Sequence, residues 1–168
     1  MTGSAIVTWD GGRLAVNLTF APLLEVAGLT TVAAFMEFDG GEVAKSAVVD
    51  RRTDRIQLTG QGDEFVGFLK RHRRPRWSEY LKACLRLTRP TLGARGEWEA
   101  IWRFHEAGLP TMTPVAFGED HAGSFVLTES LEPAQKLSAL AIEPTLEAAS
   151  RHRLVREVAD LARRMHDA

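Results

Sequence analysis

Apolar positions along this chain switch period several times, and each switch predicts an element. Ala5 to Trp9 and Arg13 to Leu18 are short β-like runs around Asp10-Gly11-Gly12, which reads as a hairpin turn. Pro22 to Ala27 and Thr30 to Phe38 are helix-like pieces separated by Gly28, and Asp39-Gly40-Gly41 is a second turn. From Glu42 the pattern becomes strand-like. Val43 to Val49 and Arg55 to Leu58 flank an expected turn over Asp50 to Asp54, and Phe65 to Leu69 is a third apolar run ending in Lys70. Ser78 is placed to cap a helix running to Leu87, with Pro90 ending that segment. A stronger helix is predicted over Arg95 to Ala107, stopped by Gly108 and Pro110. Val115 to Gly118 and Ser124 to Thr128 are two further strands joined by the turn-rich Glu119 to Gly123. Last, Leu154, Val158, Leu161 and Met165 form one stripe of an amphipathic helix.

The resulting order is β-β-β, helix, helix, β-β, linker, helix, which implies an α+β fold built on antiparallel strands. The first forty residues are too few to bury a core alone and are expected to be an appended element. The domain boundaries expected are 1–40 for this extension, 41–128 for a compact α+β lobe and 129–168 for the linker and last helix.

Composition narrows the function classes. The chain has 168 residues, 45% of them apolar and 26% charged, with a net charge of -1, so nothing global attracts nucleic acid. One cysteine, Cys84, excludes an internal disulfide and a Cys-rich zinc site. The N-terminus lacks the features of a signal peptide, and the most apolar stretch, Leu14 to Phe38, is too interrupted to span a bilayer. A cytoplasmic protein is expected. No metal-ligand spacing is present.

Charge is nevertheless concentrated. Lys70 to Arg76 holds five Lys/Arg residues plus His72, followed by Trp77. Three readings fit that run: a solvated face, an anionic membrane-surface patch, or a clamp for a phosphorylated glycolipid. Lys70 at the end of an apolar strand is by default a solvent-exposed residue. Its context suggests more, because kinases present a strand lysine to the α/β-phosphates and hold it with a glutamate from the next long helix. Glu97 fits that partner role in the first turn of the 95–107 helix, with Ile101 one turn on; favouring the helix N-terminus is the plainer explanation of Glu97. Phe125 to Leu131 is a buried strand turning polar, as at a hinge whose backbone meets adenine. Thr128 would then lie at the back of the pocket, with Glu129 and Leu131 making backbone contacts. Arg51 and Arg52 are candidate phosphate contacts or a solvated hairpin tip. Arg71, Arg73 and Arg74 are candidate contacts to phosphate or an anionic substrate.

Phe68-Leu69-Lys70, Leu92 to Ile101, Gly108-Leu109-Pro110-Thr111-Met112, Val115-Ala116-Phe117-Gly118 and Leu127-Thr128-Glu129 together resemble the lipopolysaccharide core heptose kinase (Kdo/heptose kinase) family of bacterial envelope enzymes. The similarity runs from about Gly41 to Ala168, and the glycine-free Asp50-Arg51-Arg52-Thr53 segment shares in it. The resemblance implies a protein-kinase-like N-terminal lobe with a hinge and the first helix of a C-terminal lobe. It implies ATP with Mg²⁺ as cofactor and a sugar of the lipopolysaccharide inner core as acceptor, at the cytoplasmic face of the inner membrane. It carries Lys70 over as the phosphate-contacting lysine, Glu97 as its partner and Thr128 to Leu131 as the hinge.

In that family a His-Arg-Asp-type loop and a metal-binding aspartate come after the segment resembling Leu161 to Ala168. Both are expected beyond Ala168, so no catalytic or metal-binding residue is assigned in this chain. The expected function is the N-terminal part of a heptose or Kdo kinase, inactive alone. The alternatives are a non-catalytic nucleotide- or partner-binding module and another small-molecule phosphotransferase of the same fold. The exposed stripe of the last helix predicts self-association or pairing with a C-terminal half.

Overall fold

The computed structural model describes residues 5–48, 51–60, 64–73, 93–131, 133–142 and 147–167. The helix expected from Ser78 to Leu87, with Arg74 and Trp77 before it, lies outside the described residues. Two compact units are present: residues 1–101 with 112–130, and residues 102–111 with 131–168.

The first unit is built on a seven-stranded antiparallel sheet, so the α+β class holds. Its strands are β1 (Ile6–Trp9), β2 (Leu14–Asn17), β3 (Gly41–Val48), β4 (Arg51–Thr59), β5 (Glu64–Arg73), β6 (Pro114–Glu119) and β7 (Gly123–Glu129), ordered β1-β2-β6-β7-β5-β4-β3. The N-terminal hairpin is therefore part of the sheet, because β2 pairs with β6 through Val16 and Ala116. Helices α1 (Ala21–Val26) and α2 (Val32–Glu37) come next, and α3 (Arg95–Glu106) lies between β5 and β6 in the chain.

Two boundaries differ from expectation. Arg51 to Asp54 are strand, since β4 begins at Arg51 and stays in register with β5 from Arg51–His72 to Thr59–Glu64, and Asp50 lies outside the described residues. Likewise β5 does not stop at Lys70. It continues through Arg71, His72 and Arg73, which pair with Phe125, Ser124 and Gly123 of β7. Ladder hydrogen bonds override the low strand propensity of a basic run.

Alternation along the strands sorts side chains onto two faces. One face carries Leu14, Val16, Ile56, Leu58, Phe65, Leu69, Phe125 and Leu127, buried together under Leu24 of α1 and Val32 and Phe35 of α2. Phe35 stacks on Phe125 at a centroid distance of 4.1 Å. Two local devices hold this N-terminal layer. The Asp10 carboxylate accepts from the Val32 N–H at 3.0 Å and from Arg13, and these bonds keep its pKa below the ordinary value. The buried Asn17 side chain donates to the Pro114 carbonyl. The opposite face carries a smaller cluster of Ala94, Phe117 and Val126, with Ala15 and Trp98 packed against it.

Arg71 ties the layers together from the first face. Its guanidinium pairs with Asp54, which is fully buried, and donates to the carbonyls of Met36 and Phe38 at 3.0 and 2.7 Å. The last turn of α2 is thereby fastened to β5.

In the second unit α3 ends in a Schellman arrangement. Gly108, at φ +65°, supplies the left-handed position, with Gly108 N–H donating to His105 and Leu109 N–H to Phe104. The unit also holds α4 (Leu137–Ala141) and α5 (Ala148–Asp167). No residue of α5 is buried, and Val155, Val158 and Met165 are exposed.

Replacing Asp54 with Ala leaves the Arg71 guanidinium buried without its counter-charge and should destabilise the first unit by about 3–5 kcal/mol. A double change of Asp54→Leu with Arg71→Met should recover much of that loss. Urea unfolding monitored through tryptophan fluorescence measures both.

Candidate functional site

The face opposite α1 and α2 is where the expected site residues meet. On β5, Lys70 and His72 leave the sheet on this side, while Leu69 and Arg71 leave on the other. Val126 and Thr128 of β7 lie beside Lys70 and Phe68, and Arg51 of β4 lies beside His72.

Helix α3 is set over this face by its entry. Gly93 sits at φ +90°, where a Cβ would come within 2.9 Å of the Ser124 hydroxyl. That hydroxyl accepts from the Ala94 N–H at 2.9 Å, so β7 holds the first turn of the helix. Ala94 and Ile101 are buried. Glu97 and Trp98 diverge to opposite flanks: Glu97 reaches β5, whereas Trp98 stacks on Phe117 of β6 at 5.8 Å.

Lys70 Nζ donates to Glu97 Oε1, with both side chains about one-third exposed (31% each). At that exposure the pair contributes little to stability, of order 0–1 kcal/mol. Its consequence is positional, since the ammonium is fixed at the rim of the sheet.

The other candidates separate. Arg52 is on the wrong face, because the alternation that directs Lys70 outward directs Arg52 to Asp54, which it meets at 2.6 Å. Arg71 is a correction for the same reason. Almost entirely buried and engaged by Asp54 and two carbonyls, it is committed to the fold and does not present itself to an anion. Arg73 shares Arg71's side of the strand at its exposed end. Arg51 alone of the four stands on the Lys70 face; Arg74 lies outside the described residues. Thr128 is buried on the Lys70 face, the Glu129 N–H donates to the Thr113 carbonyl and Leu131 is exposed in the second unit.

Two features escaped the sequence reading. Among the described residues, the buried side-chain polar atoms without a hydrogen-bond partner are His72 Nδ1 and Ser130 Oγ. They stand two residues after Lys70 and two after Thr128, one in β5 and the other just past β7. Period-two alternation from Lys70 would have placed His72 on the same face. The second feature is an open cleft of about 510 Å³ on the far flank of α3, floored by Trp98 and Phe117 and walled by Arg13 of the N-terminal hairpin and Arg95. Arg95 lies over the Phe117 ring and pairs with Glu119 at 3.2 Å. Nothing in a linear reading brings residue 13 to residue 95.

Residues 42–168 match the model of the lipopolysaccharide kinase (Kdo/WaaP) family. The chain belongs to that family. Among curated relatives, it is 46% identical over 92 residues to the lipopolysaccharide core heptose(I) kinase WaaP of Pseudomonas aeruginosa, a match covering 52% of this chain and 33% of that protein. It is 35% identical over 137 residues to the enzyme of the same name from Escherichia coli K12, covering 76% of this chain and 49% of the relative. The chain thus spans at most about half the length of these relatives. No solved structure matches. The family match begins after α2, so β1, β2, α1 and α2 precede it, while Lys70, Glu97 and the β7 edge fall inside. Among the described residues no helix is long and apolar enough to cross a membrane, and no group of three or more His, Cys, Asp or Glu could hold a metal ion.

Burial lowers the pKa of His72 from its ordinary 6.5, and Arg51 and Lys70 lower it further against the opposing pull of Glu97. Below that ordinary value the unfolded chain binds a proton that the folded ring resists. Stability from this residue is therefore complete above about pH 6.5 and declines as pH falls. His72→Phe should remove that decline; urea midpoints at about pH 7.5 and pH 5.5, wild type against variant, provide the comparison.

Proposed function

We propose that this chain is the nucleotide-holding part of an ATP-dependent kinase acting on a heptose or Kdo sugar of the lipopolysaccharide inner core. The Lys70–Glu97 pair carries this reading. A strand lysine fixed by a carboxylate from the following helix is the arrangement by which protein kinases hold the phosphates of ATP. Membership of a lipopolysaccharide kinase family, and relatives that are core heptose(I) kinases, supply the acceptor class.

In this reading the first unit is a protein-kinase-like N-terminal lobe, with α3 as its glutamate-bearing helix and the end of β7 as the start of the hinge. Lys70 neutralises charge on the phosphates, and Glu97 keeps its ammonium aimed. Arg51 adds a second cation at the position where protein kinases use a glycine-rich loop. Thr128 closes the back of the adenine site. Because the Glu129 N–H is already used by Thr113, the carbonyl of Glu129 is the group offered to the base. ATP brings Mg²⁺ and supplies the phosphoryl group; no residue of this chain is assigned to deprotonating the acceptor or to holding the metal. The acceptor places the reaction at the cytoplasmic face of the inner membrane, with the chain peripheral to it.

MgATP titrated calorimetrically into the chain should bind, and Lys70→Ala should abolish the signal. Glu97→Gln should weaken binding by about tenfold, the equivalent of one displaced charge contact of about 1.4 kcal/mol. Glu99→Gln serves as the control and should bind as wild type. Unchanged binding in Lys70→Ala would return Lys70 to an ordinary exposed lysine.

The exposed stripe of α5 is an association surface in the same reading. Sedimentation should show concentration-dependent self-association that Val158→Glu with Met165→Glu removes. A monodisperse wild-type monomer would count against it.

A further inference from the structure

We infer that His72 is the third basic group of the phosphate site, joining Lys70 and Arg51 as a cation when a polyphosphate is bound. This deepens the reading in which Lys70 meets the nucleotide's phosphates, and it rests on that reading.

Three observations carry it. First, the sheet sets these groups in one patch. Lys70 and His72 are two residues apart on one face of β5, and Arg51 is the cross-strand neighbour of His72. Second, the imidazole Nδ1 is buried and has no hydrogen-bond partner among the described residues. An unsatisfied buried polar atom costs free energy that a native site usually recovers through a ligand, ion or water. Third, the surroundings leave the ring's charge to be decided by whatever arrives. Arg51 from β4 and Lys70 on β5 itself oppose protonation, and Glu97 from α3 favours it. That carboxylate is already bound to Lys70. On β7 Ser124 stands opposite His72 and Val126 opposite Lys70, both uncharged, and Ser124 is occupied by the Ala94 N–H. Arg95 is turned away to Glu119.

Burial and the two cations therefore favour the neutral ring. A polyphosphate brings several negative charges to the same patch and reverses the balance, so the ring takes up a proton as the anion binds. The step is a simple protonation from solvent, with no bond to the ligand made or broken. Binding must then be linked to pH by the same free energy. Affinity should rise as pH falls, which a lysine or arginine in place of His72 could not produce.

The test is calorimetric titration of MgATP at about pH 8 and about pH 6, each in two buffers of different ionisation heat. The wild-type chain should tighten by about three- to tenfold across that range, the span of roughly half to one pKa unit. It should also take up a fraction of a proton per nucleotide. His72→Phe should bind with a flatter profile and correspondingly less uptake; titration of ATP's own phosphates is common to both proteins and cancels in the difference. His72→Gln carries the same comparison if the Phe variant folds poorly. The inference is overturned if both variants keep the wild-type pH slope and proton uptake while Lys70→Ala abolishes binding. If wild type does not bind, or binding survives in Lys70→Ala, the parent reading fails and this one fails with it.

Discussion

Successive side chains of a strand leave on opposite faces, and in β5 that constraint assigns every basic residue its task. Lys70 and Arg71 are neighbours in sequence with similar charge, yet they work in different environments. Arg71 enters the layer between the sheet and α2, where Asp54 and two backbone carbonyls receive it. Lys70 leaves toward α3 and meets Glu97 at the rim. A slip of one residue in the register of β5 would bury the ammonium and expose the guanidinium. The pairing of Leu69 and Phe65 with the N-terminal core makes that slip costly, because it would also turn those apolar side chains out.

The two ion pairs of β5 differ in what they contribute. Asp54 and Arg71 are both removed from water, so their mutual attraction mostly offsets desolvation and becomes evident only when one partner is deleted. The carbonyls of Met36 and Phe38 matter here, since they occupy guanidinium donors that Asp54 alone would leave unmet. Lys70 and Glu97, by contrast, keep about a third of their surface in solvent, where a pair adds at most about 1 kcal/mol. An arrangement worth so little to stability, yet spanning two elements far apart in sequence, is better explained by what it holds in place. Magnitude thus separates the pair that holds the fold from the pair that positions a charge.

Much of this was legible in the residues themselves. Strand and helix periods placed β1, β2, α3, β6 and β7 close to where they lie, and Gly108 marked the end of α3. The Lys70–Glu97 partnership needed only a strand lysine and a helix carboxylate on the facing side. What failed was counting charges without assigning faces. Arg51, Arg52 and Arg71 look alike in a basic stretch, but alternation sends only Arg51 to the Lys70 side. The expected turn failed over Arg51 to Asp54 for a related reason. Polar residues there read as loop, whereas Asp54 is a buried partner for Arg71 and Arg52 is drawn to it. Long-range pairing of this kind has no local signature, and neither does the approach of Arg13 to Arg95 across the cleft.

The N-terminal segment shows how that non-local order bears on the site. It precedes the part of the chain that matches the family, yet it provides both the layer that covers one face of the sheet and the wall of the cleft on the other. Its hairpin extends the sheet past β6, and β6 carries Phe117, against which Trp98 is stacked. Its second helix is fastened by Arg71, the residue next to Lys70. Helix α3 is consequently braced on two flanks, by Glu97 against β5 and by Trp98 against β6, and both braces stand on strands that the N-terminal segment supports. Shortening the chain to the family-matched region would remove the cover from Ile56, Leu69, Phe125 and Leu127 and unfasten Arg71 at once. The loss would reach Lys70 through its own strand, so the segment supports the placement of the Lys70–Glu97 pair.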